Sequence, residues 1–336
     1  MSNELYSYTT KVRSWDLPEV REATAKAAGN LDKVCFITNG GLGDEVCSEP
    51  VVRYTCEVLA KALNLSSVSI AAITPALFKH IKGLTILEGD RSSSDNKATF
   101  VLGQPGAMHF LYLGPWDDSN LQNSFITHNT MHCVDYPALS SLRMQLPVKY
   151  RTPQTTFGES PLPPGQVVVH PGAHWKSKTF PRSWWNAVLQ GLLERGVNPV
   201  IIGGKPGAPN GTVDLGETPG CVDLREKLTI EQSAALLRDA SALVTNDSFP
   251  LHLAACGDAY ILFLATAKHP DYITHYRHGV YGWRMKNFSL GGTHERSVFI
   301  ARDWRQLGEA KKEEVLSWLP DPISIVEYYF DVVIAV

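Results

Sequence analysis

The stretch VVVHPGAHWKSKTFPRSWWNAVLQGLLERGVNPVIIGG, residues 167–204, decides the fold. It starts with an apolar run, passes through a loop that holds a glycine and two lysines, and ends in a second apolar run closed by Gly-Gly. Between the loop and the second run, apolar residues recur at helical spacing. This pattern predicts a strand at 167–170, a helix at 182–195 and a strand at 198–202. Because a helix joins the two strands, we expect them to be parallel with a right-handed crossover.

The same alternation occurs on both sides of this stretch. Before it, apolar runs predict strands at 33–40 and 67–74, and helical spacing predicts a helix at 49–64 between them. After it, further strands are predicted at 242–247 and 260–266. Repeated alternation of strands and helices predicts an α/β fold with parallel sheets, in which ligands bind at the carboxyl ends of the strands.

A segment rich in proline and glycine, RTPQTTFGESPLPPGQ at 151–166, lies between the two sets of elements and is the predicted linker. A chain of 336 residues also suits two domains. We therefore predict two doubly wound Rossmann-like domains, residues 1–160 and 161–336, facing each other across a cleft. Residues 1–32 precede the first strand as an N-terminal extension. We expect the last helix to pack back on the first domain.

The composition is that of a globular protein, with 44% hydrophobic and 19% charged residues. A net charge of -3 argues against a strongly basic nucleic-acid binder. The six cysteines include no CxxC pair, which argues against a zinc site or a disulfide framework and favours the cytoplasm. No leader-type N-terminus and no apolar run of about 18 residues occur, so we expect no integral membrane contact.

Three loops follow predicted strands: NGGLGDE at 39–45, HPGAHWKSKTFP at 170–181 and TNDSFPLHLAA at 245–255. The first resembles a dinucleotide fingerprint, but Val46 stands where the third glycine belongs. Its glycine turn brings Asp44 to the start of a helix. There Asp44 has two interpretations: a carboxylate favoured by the helix dipole, or a base that takes a proton from a substrate hydroxyl.

The second and third loops suit an anion. In the second, a glycine lets backbone approach a ligand, the lysines supply positive charge, and Pro181 starts a helix whose N–H groups point to the same place. Together these features indicate a diphosphate. In the third loop, Asp247 and Ser248 follow a strand, where the hydroxyl can receive phosphate or sugar oxygens, although an aspartate there is also a common helix cap.

In this order the loops resemble the heptosyltransferase-like glycosyltransferases of family 9, which have the GT-B fold. The family run of strand, "PGA…K.WP", helix and "GG" is similar to residues 167–204. Its "L..A…VTNDSGPMHLAAALG" is similar to LLRDASALVTNDSFPLHLAACG at 236–257, and its "GALGDVV…P" is similar to GGLGDEVCSEPVVR here. HCVDYPALSSLRMQLP at 132–147 resembles the segment that closes the family's first domain.

The resemblance implies an inverting transferase that takes its sugar from a nucleotide-diphosphate sugar, with no metal and no cofactor. It places the donor in the C-terminal domain and the acceptor in the N-terminal domain. Asp44 is then the catalytic base, Lys178 contacts the donor phosphates or sugar, and Asp247 lies near the donor sugar. The donor-binding candidates are Gly172, His174, Lys176, Lys178, Asp247, Ser248 and His252. The acceptor or loop candidates are Gly41, Gly43, Trp175, Phe249, Lys268 and His269.

Several residues have competing interpretations. His128, His132, Cys133 and Asp135 are metal-binding types, but the resemblance favours an ordinary helix start over a metal cluster. Trp184 and Trp185 lie on the predicted helix, where at least one is expected in the core, so Trp175 in the loop is the better ligand candidate. No spacing in the chain indicates a dedicated metal site.

The acceptor stays open between classes. The resemblance implies a saccharide of the lipopolysaccharide-core type. The alternative is a bacteriophage-type DNA glycosyltransferase acting on a hydroxylated or already glycosylated base, favoured by the His-, Tyr- and Arg-rich segment 268–286. A third hypothesis is an inactive sugar-nucleotide binding protein, since Phe249 replaces the glycine of the family's "DSGP" and FLATAKHPDY at 263–272 replaces its "FGPT". The sequence does not indicate the oligomeric state.

Overall fold

A computed structural model of the chain describes residues 33–39, 41–87, 98–103, 133–142, 145–173, 178–208, 211–265, 273, 276–277, 280–281, 284–289 and 319–335. The predicted N-terminal extension, residues 1–32, lies outside this part. The chain divides into two compact units, residues 1–156 with 275–279 and residues 157–274 with 280–336, and the main division falls between Thr156 and Phe157. This division falls inside the Pro-rich segment 151–166, which forms neither helix nor strand.

The first unit contains a parallel sheet. Its strands are β1 (Lys33–Asn39), β2 (Ser67–Ala71), β3 (Leu84–Ile86) and β4 (Ala98–Gly103), in the order β3-β2-β1-β4. In the register, Val34 lies opposite Val68 on one side and Ala98 on the other. Strand β1 is therefore internal, and its apolar run is buried, as a parallel sheet covered on both faces requires.

Helix α1 (Leu42–Tyr54) follows β1 and continues through a π-helical turn, Thr55–Leu59, to Ala60–Ala62. It begins seven residues before the predicted start at 49, so that part of the prediction was wrong. The last four residues of NGGLGDE, 42–45, form the first turn of the helix, where the acidic residues Asp44 and Glu45 are favoured by the helix dipole.

Short helical segments also occur among the described residues of the first unit. Two 3-10 turns cover Pro75–Phe78 and Val148–Tyr150. Helix α2 (Asp135–Leu142) begins at Asp135, so this residue is at an ordinary helix start, as predicted. Its carboxylate forms a buried ion pair with the Arg151 guanidinium, which ties α2 to the end of the unit.

The second unit contains a larger parallel sheet. Its strands are β5 (Val167–His170), β6 (Val200–Ile201), β7 (Val222–Asp223), β8 (Ala242–Asn246), β9 (Tyr260–Ala265) and β12 (Met285–Ser289). Two short strands between β9 and β12, β10 (Tyr276–Arg277) and β11 (Val280–Tyr281), are not part of this sheet. The order is β7-β6-β5-β8-β9-β12, and every pairing is parallel. In this order the first two connections run to one side of β5 and the later ones to the other.

Helices α3 (Arg182–Glu194), α4 (Ile230–Arg238), α5 (Phe249–Ala254) and α6 (Pro322–Tyr328) belong to this unit, and α6 continues as a π-helical turn, Tyr329–Val333. The bounds of α3 confirm the predicted helix. A capping box starts α4, because the Thr229 hydroxyl accepts from the Gln232 N–H at 3.2 Å and the Gln232 side-chain oxygen accepts from the Thr229 N–H at 3.0 Å.

The core of the second unit lies between the sheet, α3 and α6. Trp185 is fully buried, and Trp184 is nearly so, with its indole N–H donating to the Pro320 carbonyl at 2.7 Å. From α6, Val326 packs against Gly191 of α3. We expected the last helix to pack on the first domain; these contacts place it against α3 inside the second unit.

Within the described ranges, the chain forms no helix with the length and apolar character needed to cross a membrane.

Candidate functional site

The strand order of the second unit has a topological switch point between β5 and β8. The chain leaves β5 toward β6 on one side and leaves β8 toward β9 on the other, so their carboxyl ends open a crevice. Two of the predicted loops begin there: the loop after His170 and the Asp-Ser loop after Asn246. The switch point is where an open α/β sheet binds ligands.

A buried ion pair joins these two loops. The Lys178 Nζ lies 2.6 Å from the Asp247 Oδ2, and both residues are less than a tenth exposed. A lysine is rarely buried without an opposite charge, because removing an ammonium from water costs several kcal/mol. Asp247 therefore holds a positive charge in place beside the switch point.

Asn246 connects the loops a second time. Its side-chain Nδ2 donates to the Gly172 carbonyl at 2.9 Å and to the Lys178 carbonyl at 2.6 Å. The residue is 1% exposed, and its Oδ1 has no hydrogen-bond partner among the residues that the structure describes. One amide at the end of β8 thus fixes both ends of the loop that precedes α3.

His170, the last residue of β5, faces the same crevice edge. Its Nδ1 lies 3.0 Å from the Ser248 Oγ and 3.3 Å from the Thr245 Oγ1. Burial lowers the pKa of His170 from 6.5 to about 4, because the charged form would lose its hydration. The imidazole is therefore neutral at physiological pH.

Gly172 has no room for a side chain. A Cβ there would lie 2.6 Å from the Asn246 Oδ1 and 2.8 Å from the His170 Cε1. The backbone on both sides of Gly172 is hydrogen-bonded to a second loop. The Ala173 N–H donates to the Gly211 carbonyl at 3.1 Å, and the Val213 N–H donates to the Pro171 carbonyl at 2.8 Å. The predicted phosphate loop is thus braced by the chain that follows β6.

In the first unit, Asp44 lies in the first turn of α1. Its Oδ2 accepts from the Gly41 N–H at 2.8 Å, and Gly41 is the N-cap residue of the helix. This is the helix-capping interpretation of Asp44, and it uses one carboxylate oxygen. No hydrogen bond to the other oxygen occurs within the described part of the chain, and the residue is partly exposed. The carboxylate can therefore also act on a ligand.

Next to Asp44 is a fully buried acid, Glu45, that was not predicted. Its Oε1 accepts from the Thr38 hydroxyl at 2.6 Å, from the Ile73 N–H at 2.7 Å and from the Thr74 N–H at 3.2 Å. Thr38 belongs to β1, and the other two follow β2. One side chain therefore fixes the start of α1 to the carboxyl ends of both strands.

The sequence profile of glycosyltransferase family 9 (heptosyltransferase) matches residues 121–288, half of the chain. The chain belongs to glycosyltransferase family 9. The resemblance inferred from the loop order is thereby confirmed, and the matched range includes both loops at the switch point of this glycosyltransferase.

Solved structures agree on the fold. The family 9 glycosyltransferase from Veillonella parvula DSM 2008 has a TM-score of 0.61 at 14% identity, over 91% of this chain and 98% of its own. The ADP-heptose LPS heptosyltransferase II of E. coli has a TM-score of 0.56 at 16% identity, over 88% and 98%. TibC of enterotoxigenic E. coli H10407, an iron-containing dodecameric glycosyltransferase, has a TM-score of 0.54 at 13% identity, over 84% of this chain and 77% of its own. These likenesses confirm the α/β GT-B fold class. No curated protein sequence matches the chain.

The structure brings together four of the predicted donor residues of this glycosyltransferase: Gly172, Lys178, Asp247 and Ser248. His252 is buried on α5, and Phe249 is the first residue of that helix. Gly41 and Gly43 flank the start of α1, beside Asp44. The remaining predicted residues lie outside the described part of the chain: His174, Trp175, Lys176, Lys268 and His269.

Three residues of this arrangement were missed: His170, Asn246 and Glu45. A signal existed for the first two, because each is the only strongly polar side chain at the end of a buried apolar strand. Glu45 gave a weaker signal, as an acid inside what proves to be the buried face of a helix.

Proposed function

We propose that this glycosyltransferase moves a sugar from a nucleotide-diphosphate sugar to an acceptor hydroxyl, with inversion at the anomeric carbon and without a metal ion. The observation that carries the proposal is the buried Lys178–Asp247 ion pair at the switch point. A fixed positive charge beside a glycine loop suits a diphosphate. The E. coli TibC structure with ADP-D-beta-D-heptose belongs to the same fold class, which supports this donor class.

In the proposed reaction the acceptor oxygen bonds to the anomeric carbon while the bond from that carbon to the diphosphate oxygen breaks. The acceptor proton passes to Asp44, and the electron pair of the broken bond stays on the nucleoside diphosphate. Charge that builds on the leaving group is offset by the Lys178 ammonium, which Asp247 already holds in position. Because the cation is fixed before the reaction, little reorganisation is needed when charge develops.

Asp44 suits the role of base. Its Oδ2 is held by the Gly41 N–H at 2.8 Å, which fixes the orientation of the carboxylate and leaves Oδ1 for the proton. Asp44→Asn keeps an oxygen for this cap contact but cannot take a proton. It therefore tests the base without removing the cap.

We propose a saccharide acceptor, on the family resemblance. The DNA alternative rests on the segment 268–286, most of which lies outside the described residues, so no observation favours it here. The tested acceptors are a heptose-deficient lipopolysaccharide core and, separately, DNA containing 5-hydroxymethylcytosine. Transfer to the DNA alone would replace the saccharide proposal.

The experiment measures release of nucleoside diphosphate and labelled product from a panel of nucleotide sugars, with and without EDTA. We expect turnover by the wild type in EDTA and a fall of about 10²–10⁴-fold in Asp44→Asn. The matched control is Glu57→Gln, an exposed acid on the π-helical turn after α1, which we expect to turn over normally. Full activity in Asp44→Asn would refute the base. Activity that disappears in EDTA and returns with iron or magnesium would refute the metal-free mechanism.

A further inference from the structure

The imidazole of His170 fills a narrow space at the carboxyl end of β5. A Cβ added at Gly172 would lie 2.8 Å from the His170 Cε1, and one added at Gly203 would lie 2.9 Å from the Cδ2. The ring is thus held between two glycines, one in the loop after β5 and one after β6. A side chain at either position would displace it.

The partners of the ring decide which nitrogen carries the proton. The Thr245 hydroxyl donates to the Asn246 carbonyl at 3.0 Å, and a carbonyl can only accept. Thr245 therefore presents a lone pair to the His170 Nδ1, 3.3 Å away. An unprotonated Nδ1 would oppose that lone pair with its own, whereas a protonated Nδ1 is attracted by it and can donate to the nearer oxygen, the Ser248 Oγ at 3.0 Å.

The other nitrogen, Nε2, lies on the Gly203 side of the ring, where an added Cβ would be 3.0 Å from it. Within the described residues, Nε2 has no hydrogen-bond acceptor. A proton on Nδ1 has two oxygens within 3.3 Å, whereas a proton on Nε2 has no acceptor among the described residues. Since burial keeps the ring neutral, with a pKa of about 4, it has one N–H, and the partners place that proton on Nδ1.

Ser248 is the second oxygen in front of Nδ1, at 3.0 Å. It is the N-cap residue of α5, yet its side chain caps no backbone N–H of that helix. If its oxygen accepts from Nδ1, its own proton points elsewhere. Two acceptors lie near the Ser248 proton, the Asn246 carbonyl at 3.3 Å and the Thr245 hydroxyl at 3.2 Å. Both contacts are long, so a stronger acceptor can replace them.

We propose that His170 is a positioning residue of the donor site: its Nδ1–H donates to the Ser248 hydroxyl and so leaves the Ser248 proton for an oxygen of the donor diphosphate. This rests on the proposed function, because it requires a diphosphate at the switch point. His170 itself does not touch the donor. It sets the direction in which Ser248 donates.

The test uses the full chain and four variants. His170→Leu removes the N–H group that donates to Ser248. His170→Asn returns an amide N–H close to the position of Nδ1. Ser248→Ala removes the hydroxyl, and the fourth variant combines His170→Leu with Ser248→Ala. Binding of ADP, GDP, UDP and CDP is measured by titration calorimetry, and the nucleotide that binds wild type most tightly is used throughout.

We expect the Kd to rise about tenfold in His170→Leu and in Ser248→Ala, and to recover to within about threefold of wild type in His170→Asn. The double variant should bind no more weakly than Ser248→Ala alone, because both changes remove the same hydrogen bond. The control is Ser241→Ala, which removes a hydroxyl at the amino ends of the same strands, where it donates to the Gln166 carbonyl at 3.1 Å. Its Kd should equal that of wild type.

Two results would overturn the role of His170. In the first, the increases in Kd caused by His170→Leu and by Ser248→Ala multiply in the double variant, as they would if His170 only supported the fold. In the second, His170→Asn binds the nucleotide as weakly as His170→Leu does. Nitrogen NMR of ¹⁵N-histidine protein gives a ligand-free readout, in which the signal lost in His170→Asn must have the Nδ1–H tautomer. An Nε2–H tautomer would also overturn the proposal. If the Nδ1–H tautomer is found but no nucleotide binds wild type, the proposed function fails and the diphosphate role fails with it.

Discussion

The buried neutral His170 predicts a specific dependence of stability on pH. Its pKa is about 4 in the folded chain and 6.5 when exposed. Between these values the unfolded chain binds a proton that the folded chain does not, so the free energy of unfolding falls as pH falls. The slope is about 1.4 kcal/mol per pH unit, and the whole window is worth about 3 kcal/mol. Above pH 6.5 the full stability is present.

His170→Asn removes this titration. Relative to wild type, the variant should therefore gain about 3 kcal/mol on going from pH 7 to pH 4, whatever its stability at pH 7. The assay is urea unfolding at half-unit pH steps, followed by circular dichroism and tryptophan fluorescence, since Trp184 and Trp185 report on the core of the second unit.

The control is Val169→Ala, the neighbouring buried position on β5, whose loss of packing should be the same at every pH. If the curves of wild type and His170→Asn stay parallel from pH 7 to pH 4, the ring is not held neutral and the reasoning fails. If Val169→Ala also converges with wild type at low pH, the effect does not belong to His170.

Three further outcomes are expected from unfolding measurements. Lys178→Met should lower the free energy of unfolding by about 3–5 kcal/mol, because it leaves a buried carboxylate without its cation. Adding Asp247→Leu should recover most of this loss, and equal stability of the single and the double variant would contradict the reasoning. Gly203→Ala should lower the free energy of unfolding by at least about 2 kcal/mol, since the φ of Gly203 is +129° and an added Cβ would lie 2.5 Å from the Thr212 Cγ2. Gly196→Ala is the control: its φ is +81°, but an added Cβ would meet open space, so it should cost about 1 kcal/mol. Glu45→Ala should lower the free energy of unfolding by about 2 kcal/mol because it removes the acceptor of three hydrogen bonds, whereas Glu45→Gln keeps an accepting oxygen and should cost less; the reverse order would show that the carboxylate charge matters more than its contacts.

The order of elements in the second unit could be predicted from the sequence because each is long or strongly periodic. The helix at 182–195 has apolar residues at helical spacing throughout, and the strand at 242–247 begins with the apolar run Ala242 to Val244. Since parallel strands end at the same edge, the loops after them were also expected to meet. The contact between Lys178 and Asp247 follows from that topology, although its distance does not.

Other features depend on contacts between distant positions, which no local pattern records. The His170 ring fits only because Gly203, more than thirty residues later, has no side chain. The role of Asn246 depends on two carbonyls in another loop. The start of α1 was missed because glycine, a poor helix former, stands at its N-cap and again at position 43, and the first turn is held by Asp44 and Glu45 instead of by apolar spacing.

The packing of α6 has a consequence for how the chain is made. The core of the second unit includes Val326 and Tyr329, and the Tyr328 hydroxyl lies 2.9 Å from that of Tyr260. During synthesis residues 1–156, which make up most of the first unit, emerge long before these residues exist. The second unit must wait, with the apolar face of α3 uncovered, until the ribosome has passed Tyr329. A chain released before that point would present this face to chaperones and proteases, so premature termination near residue 320 should yield a half-folded protein that is degraded, even though every proposed donor residue has already been translated.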